Sequence, residues 1–335
     1  MPKKLRLISM RITSLLMLMV MMVSCASDDS SSTRWKFAYM SDNKDATADS
    51  GVNMATVGRF AEDMQDQGVS LVLVGGDLID GRGLDVTGLN AQYAKWIEAM
   101  APVYNASIPV YAVPGNHEYW GDSAESCVTA WNESIVPVLP PGRTDNADYA
   151  GREYSFTFNN ALFIGLDQNQ FGSSMPDYYR GNDVAWVKGQ LAGHDAITYP
   201  HVIVFGHMPQ FMLQWGWSDA NKANREEFWN ALESVNSKMY FTGHSHTYAL
   251  GEATTISGGH SIYQILAGSA GAGFEPEGWT GVYYESDRVT PVDSNNAYEG
   301  YALVTITGEN VRMDWRYYDS ATGTFKSRAG FGYNQ

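Results

Sequence analysis

Four runs of five residues, 70–74, 109–113, 201–205 and 238–242, constrain this chain more than anything else in it. Each is rich in Val, Leu, Ile, Phe, Tyr or Met and nearly free of charge. A strand that apolar has no face left for water and is expected to be covered on both sides. Each run also leads into glycine beside polar residues: Gly76-Asp77, Gly115-Asn116-His117-Glu118, Gly206-His207 and Gly243-His244-Ser245-His246. Polar groups at the mouth of a buried strand cost free energy unless they are paired or used. Asn116, His117 and Glu118 therefore read as half of an active site, and the three other strand ends supply more polar groups.

Between these runs the spacing is helical. A first strand, 35–40, stops at Ser41-Asp42-Asn43-Lys44-Asp45, and Met54, Val57, Phe60, Ala61 and Met64 then predict a helix closed by Gly68. Tyr93, Trp96, Ile97, Met100, Val103 and Tyr104 predict a second helix. Strands alternating with helices imply parallel pairing through right-handed crossovers. Residues 121–151 lack clear periodicity and hold Pro137, Pro140, Pro141 and Gly142, which predicts a long loop with room for one short helix. A hairpin about Asn159-Asn160, a helix over 185–191, and a helix marked by Phe228, Trp229, Leu232 and Val235 follow. Strands are expected at 261–267 and 300–307, and beyond the turn Gly308-Glu309-Asn310 the residues Val311, Met313 and Trp315 alternate with Arg312, Asp314 and Arg316. The chain thus reads as α/β in its first two-thirds and mainly antiparallel in its last third. No internal repeat or clear linker divides it, so one domain, 35–335, with two packed sheets is expected.

The first thirty or so residues stand apart. Lys3, Lys4, Arg6 and Arg11 precede an apolar run, 12–23, too short to span a bilayer comfortably, so 1–24 reads as a secretory signal. Met22-Val23-Ser24-Cys25 resembles a bacterial lipobox, which would place lipid on Cys25; a retained N-terminal anchor is the alternative. A polar tether, 25–34, resembles the export signals of some surface-displayed lipoproteins. The expectation is an exported lipoprotein of a Gram-negative bacterium, in the outer membrane and facing the periplasm or the surface. With Cys25 lipidated, Cys127 is the one remaining thiol and no intrachain disulfide can form. Removing the signal takes away four basic residues, so the net charge becomes −15 − 4 = −19. Such a surface repels nucleic acid, whose binding depends on Lys and Arg neutralising phosphates. A small phosphorylated substrate remains compatible, since bound metal ions outweigh a distant net charge.

In their order along the chain, Asp42, Gly76-Asp77, Gly115-Asn116-His117-Glu118, Gly206-His207 and Gly243-His244-Ser245-His246 resemble the calcineurin-like metallophosphoesterase superfamily, which includes the purple acid phosphatases. The resemblance covers about residues 39–248. Tyr154-Ser155-Phe156 and Ala267-Gly268-Ser269 resemble the acid phosphatase branch in particular. It implies a four-layer α/β/β/α fold, a two-sheet β-sandwich flanked by helices, and two divalent metal ions, Mn, Zn or Fe. Asp77 would bridge them, with Asn116, His207 and His244 completing the second site. The first site maps onto Asp42, Asp77 and His246, but where the family has His two positions after Asp42 this chain has Lys44. The Tyr that binds iron in purple acid phosphatases is replaced by Asp80. A protonated Lys44 cannot coordinate metal; it is left to donate to phosphate, to pair with Asp42, or to stand in for missing positive charge. The first site is therefore expected to be weakened.

These residue types suit the chemistry on their own terms. Phosphate-ester oxygens repel a nucleophile, and a metal pair screens that charge while lowering the pKa of bound water; mixed carboxylate, amide and imidazole ligands hold such metals. Gly76-Asp77-Leu78-Ile79-Asp80 with Arg82 also resembles the phosphoprotein phosphatase pattern. That implies His117 as general acid, Asp80 as the group that orients it, and Arg82 as a phosphate contact; Asp80 as a metal ligand is the other reading. His194, His201 and His260 read as surface residues outside the site, Arg143 as a solvated arginine, and 268–273 as a tight turn near the site. Trp215 and Trp217 either wall a pocket or pack their loop. The expected function is phosphomonoester hydrolysis by metal-activated hydroxide. The alternatives are a phosphodiesterase on cyclic nucleotides or glycerol diesters, and a catalytically weak surface lipoprotein that binds phosphorylated ligands.

Overall fold

The computed structural model describes residues 33–172, 179–211, 218–255, 258–275 and 285–335. The signal 1–24, Cys25, and Trp215 and Trp217 lie outside the described residues.

The chain opens with β1 (Arg34–Met40), α1 (Met54–Asp66), β2 (Leu71–Val74), α2 (Val86–Ala99), α3 (Ala101–Asn105) and β3 (Val110–Ala112). Side chains of Asn53 and Asp85 cap α1 and α2 by accepting from the Thr56 and Gly88 N–H groups, orphan donors of a first helical turn. Then come α4 (Ala124–Ser134), β4 (Thr144–Asp145), the hairpin β5 (Tyr154–Phe158) and β6 (Ala161–Gly165), α5 (Val184–Ala192), β7 (His201–Phe205), α6 (Asp219–Ser234) and β8 (Met239–Thr242). The last part is β9 (Tyr248–Ala253), β10 (Ile262–Ala267), β11 (Val289–Asn295), β12 (Gly300–Thr307), β13 (Asn310–Asp319) and β14 (Thr324–Asn334).

Among the described residues two sheets form, ordered β14-β13-β12-β1-β2-β3 and β11-β9-β10-β8-β7-β6-β5-β4. Within the first, β1, β2 and β3 run parallel; within the second, β6, β7, β8 and β10 do. Alternation along the second sheet sorts its two faces. Phe163, Ile203, Phe205 and Phe241 join the core between the sheets, while Leu162, Ile164, Val202, Val204 and Tyr240 join a second core with Val187 and Leu191 of α5 and Phe228, Trp229 and Leu232 of α6. On the far side of the first sheet, Val57, Phe60 and Met64 of α1 and Tyr93 and Trp96 of α2 are buried. The layers are α/β/β/α, and the apolar runs are covered on both faces as expected.

Phe37 on β1 sits between the sheets, edge-on to Phe163 at 5.6 Å and to Phe241 at 5.7 Å. Its ring touches strands of the opposite sheet, so its loss leaves a cavity that neither sheet can close alone. Phe37→Ala is expected to lower stability by about 3–5 kcal/mol, read from the urea unfolding midpoint; a change below about 1 kcal/mol would mean the sheets repack.

Residues 121–151 are largely loop, with the one short helix that the sequence left room for. They hold the eleven-residue helix α4, capped by Ser123, with Cys127, Ala130 and Trp131 buried on one face. Trp131 lies edge-on to Tyr93 of α2 at 6.0 Å and donates its Nε1–H to the Gly151 carbonyl at 2.9 Å. Three buried positions among polar residues are too few to show as a period; packing of Trp131 decides the helix.

Candidate metal centre

The polar residues converge because the parallel strands of both sheets end at one edge. Asp42 follows β1, Asp77 follows β2, Asn116 and His117 follow β3, His207 follows β7, and His244 and His246 follow β8. Ligand crevices of open α/β sheets lie at such carboxyl ends. Sharp turns there aim the side chains: Asp42, Asp77 and His244 have φ of 63°, 54° and 69°, in the left-handed region that Asp and His tolerate better than most residues. The glycines are needed for closeness. A Cβ on Gly115 would lie 2.3 Å from Asp77 Oδ1, and one on Gly243 would lie 2.4 Å from Asp42 Oδ2.

Two groups of acceptor atoms result. In one, His207 Nε2 lies 3.0 Å from Asn116 Oδ1 and 3.4 Å from Asp77 Oδ1, and His244 Nδ1 lies 2.9 Å from the same Asn116 oxygen. The His207 Nδ1–H donates to the Gly75 carbonyl at 2.8 Å, which fixes the tautomer and leaves the Nε2 lone pair facing oxygen lone pairs. In the other, Asp42, Asp77 and His246 place ligand atoms within 4.8 Å of one another. His246 Nδ1–H is likewise spent on the Gly273 carbonyl at 2.9 Å, and Nε2 lies 3.6 Å from Asp42 Oδ1. That Asp42 oxygen is buried with no hydrogen-bond partner among the described residues. Lone pairs crowded together suit a cation: the Asp77, Asn116, His207 and His244 set fits a divalent metal, and the Asp42 and His246 side calls for positive charge as well.

The protonation states of the imidazoles agree. Burial pushes His207 and His246 down to about 4, and His244 well below its ordinary value, so all three imidazoles are neutral ligands near neutrality. Burial, then the neighbouring Asp77, pushes the Asp42 carboxyl well up. Burial works against the Asp77 carboxylate too, yet His207, Lys44 and His117 around it hold it well below the usual range.

Lys44 does not pair with Asp42. Its ammonium bonds Asp77 Oδ2, because the turn after β2 brings that carboxylate over residue 44, whose N–H donates to the Asp77 carbonyl at 3.1 Å. His117 is buried, its Nε2 4.0 Å from Asp77 Oδ2 and its ring 3.7 Å from that of Trp120. Its Nδ1 meets the backbone carbonyl of Asp80 at 2.7 Å, while the Asp80 carboxylate stands at 3.5 Å. The main chain of Asp80 therefore fixes the imidazole more directly than the side chain expected to do so. Arg82 is largely exposed, 3.8 Å from Asp80 Oδ1, with its guanidinium 4.9 Å from the Trp120 ring. Arg82, Trp120 and Phe171 line a cavity of about 230 Å³.

Some residues that shape the site had no part assigned to them in the sequence reading. Glu118, noted there without a role, accepts from the N–H groups of Gly115, Asp77 and Leu78 at 2.6–2.8 Å and so ties the loop after β2 to the loop after β3. Gln264 Oε1 accepts from the N–H groups of Gln210 and Phe211, and Gln168 Oε1 from that of Met208, which fixes the loop carrying His207. A glutamine 57 positions from the histidine it supports has no spacing signal. The turn 268–273 does border the site: the Ala272 N–H donates to the Asp42 carbonyl, and Asn43 Nδ2 to that of Ala270.

Outside the site, His194, His201 and His260 each bond a backbone carbonyl, those of Tyr199, Gly308 and Ser237. His201 is buried, not on the surface as expected, because β7 begins beneath the turn that carries Gly308. Arg143 is not solvated either; it is tucked against the Pro140 carbonyl, Asp145 and the Tyr154 ring.

Two sheets thus end at one edge, with carboxylates, an amide and imidazoles gathered there. Residues 45–248 match the calcineurin-like phosphoesterase family model, and the chain belongs to that family. Asp42 and Lys44 lie just before the matched stretch. Phosphoesterases of this family use divalent metal ions. A purple acid phosphatase from yellow lupin (Lupinus luteus) seeds shares the fold at 16% identity and TM-score 0.63, covering 90% of this chain and 54% of its own. This chain thus spans about half of that protein's length. A dimetal phosphatase from Danio rerio aligns at 16% identity and TM-score 0.53, covering 89% of this chain and 99% of its own. The GAP50 anchor of the inner membrane complex of Plasmodium aligns at 13% identity and TM-score 0.54, covering 89% of each chain. Comparison with curated proteins gives no match.

Proposed function

We propose that the protein hydrolyses phosphomonoesters, with the metal centre at Asp42, Asp77, Asn116, His207, His244 and His246 and with His117 as general acid. The observation that carries this reading is the convergence of buried, neutral imidazoles and carboxylates next to an imidazole held by its other nitrogen. Divalent ions held there would screen the phosphoryl charge and lower the pKa of water. Asp77 joins the two donor sets, and the Gly75 and Gly273 carbonyls keep the Nε2 atoms of His207 and His246 aimed inward. His117 keeps its Nδ1–H on the Asp80 carbonyl, so Nε2 is the atom that hands a proton to the leaving alkoxide. Support for monoesters over diesters comes from the acid phosphatase-like stretches at 154–156 and 267–269. Export and attachment through lipid on Cys25 belong to the same proposal, and labelled fatty acid entering wild type but not Cys25→Ala tests it.

Phosphate release from a panel of mono- and diesters, run with elemental analysis of the purified protein, tests the activity. Aryl monoesters are expected to turn over, to stop on chelation, and to recover with Mn, Zn or Fe. Turnover of diesters alone would replace the reading with a phosphodiesterase. Zero metal and no turnover after all three ions are added would leave a surface module that binds phosphorylated ligands.

A further inference from the structure

Lys44 is an unusual residue to find between metal ligands. Its side chain is about nine-tenths buried, its main chain is anchored to Asp77 by the N–H bond, and residue 44 also bridges to Val52. The backbone of residue 44 is thus fixed beside Asp77, and its ammonium is held there by the ion pair. It lies against Asp77 Oδ2, while Asp77 Oδ1 accepts the His117 N–H at 2.9 Å and faces His207 Nε2. The oxygen that Asp77 would offer to the Asp42–His246 side is therefore already engaged by a cation. What remains on that side is Asp42 and His246, two ligands beside a fixed positive charge. Asp80 adds none, since its carboxylate is turned toward His117 and Arg82. On the other side, Asp77 Oδ1 accepts only the neutral His117 N–H, and Asn116, His207 and His244 stay grouped about it with no cationic side chain bonded to that oxygen among the described residues.

We infer that this centre holds a single divalent ion, at Asp77, Asn116, His207 and His244, and that the Lys44 ammonium is its second cation. The inference rests on the proposed metal-dependent hydrolysis and specifies how that centre is charged. One ammonium in place of a divalent ion lowers the positive charge of the site by one unit. It also removes a Lewis acid, because a protonated amine has no open coordination position.

The test is metal stoichiometry and spin coupling. After dialysis against excess Mn and removal of free metal, elemental analysis of the wild-type chain is expected to give one ion, and its electron paramagnetic resonance spectrum that of an isolated Mn. Lys44→His removes the cation and supplies a neutral donor; it is expected to bind a second ion and to show the exchange-coupled spectrum of two metals held about 3.5–4 Å apart. Lys44→Gln, which removes the cation without adding an imidazole, is expected to take the second ion more weakly than Lys44→His. Circular dichroism checks that both variants fold, and the wild-type measurement decides even where they do not. A wild-type chain with two coupled ions and full hydrolysis would overturn this inference and leave the proposed function standing. A chain with neither metal nor hydrolysis would overturn both.

Discussion

His117→Ala is expected to lower kcat for an alkyl phosphomonoester by about 10²–10⁴-fold, the range that a positioned general acid contributes. The metal content should not change, because the atom that ties His117 to Asp77 is its backbone N–H, which alanine keeps. The size of the loss should depend on the leaving group. An alkoxide needs the proton that Nε2 delivers, whereas a nitrophenolate departs without one, so the defect should shrink sharply for an activated aryl ester. An equal loss for both esters would instead assign His117 to binding or to positioning. Asp80 sharpens the test. Its carbonyl, at 2.7 Å, holds Nδ1, and its carboxylate stands back at 3.5 Å. Asp80→Ala keeps the carbonyl, so it should cost no more than about tenfold, the low end of what outer-shell partners contribute. A loss as large as that of His117→Ala would show that the carboxylate carries the orientation after all.

The contrast between Asp80 and Glu118 shows where sequence reasoning reached its limit. Strand ends were legible because burial on both faces demands apolar runs and because close approach demands glycine; both leave marks that are local in the chain. Those marks place Asp77, Asn116, His207 and His244 at strand ends, and the resemblance to the phosphoesterase family supplies their reading as a ligand set. Bonds from a side chain to a distant main chain leave no such mark. Nothing in the spacing of 76–82 says that the carbonyl of Asp80, not its carboxylate, meets His117, and nothing at 44 says that its ammonium reaches Asp77 in preference to Asp42. Both depend on the left-handed turn at Asp77, which is a property of the folded loop. The missed strand has the same cause: β14 is an exposed edge strand whose pairing with β13, not its polar sequence, makes it a strand.

Glu118→Ala should be the most damaging single change to the stability of this site. Glu118 is 2% exposed, and its two oxygens take three main-chain N–H groups from two separate loops. Burial, with Asp77 beside it, pushes its carboxyl up to about 8 against the preference of those donors for the carboxylate. The local structure thus tolerates a costly group because the group joins the turn of Asp77 to the turn of Asn116. Alanine would leave three buried donors without acceptors, at about 1–3 kcal/mol each, so a loss of about 3 kcal/mol or more is expected in the urea midpoint. Glutamine should not rescue it. One of its two positions would present an NH₂ to a backbone N–H, so Glu118→Gln is expected to fall well short of wild type although its shape is nearly the same. Both variants should also bind metal more weakly, since Asp77 and Asn116 lose their common anchor. Stability within about 1 kcal/mol of wild type for Glu118→Ala, with metal affinity unchanged, would show that the two loops hold their geometry without this carboxylate.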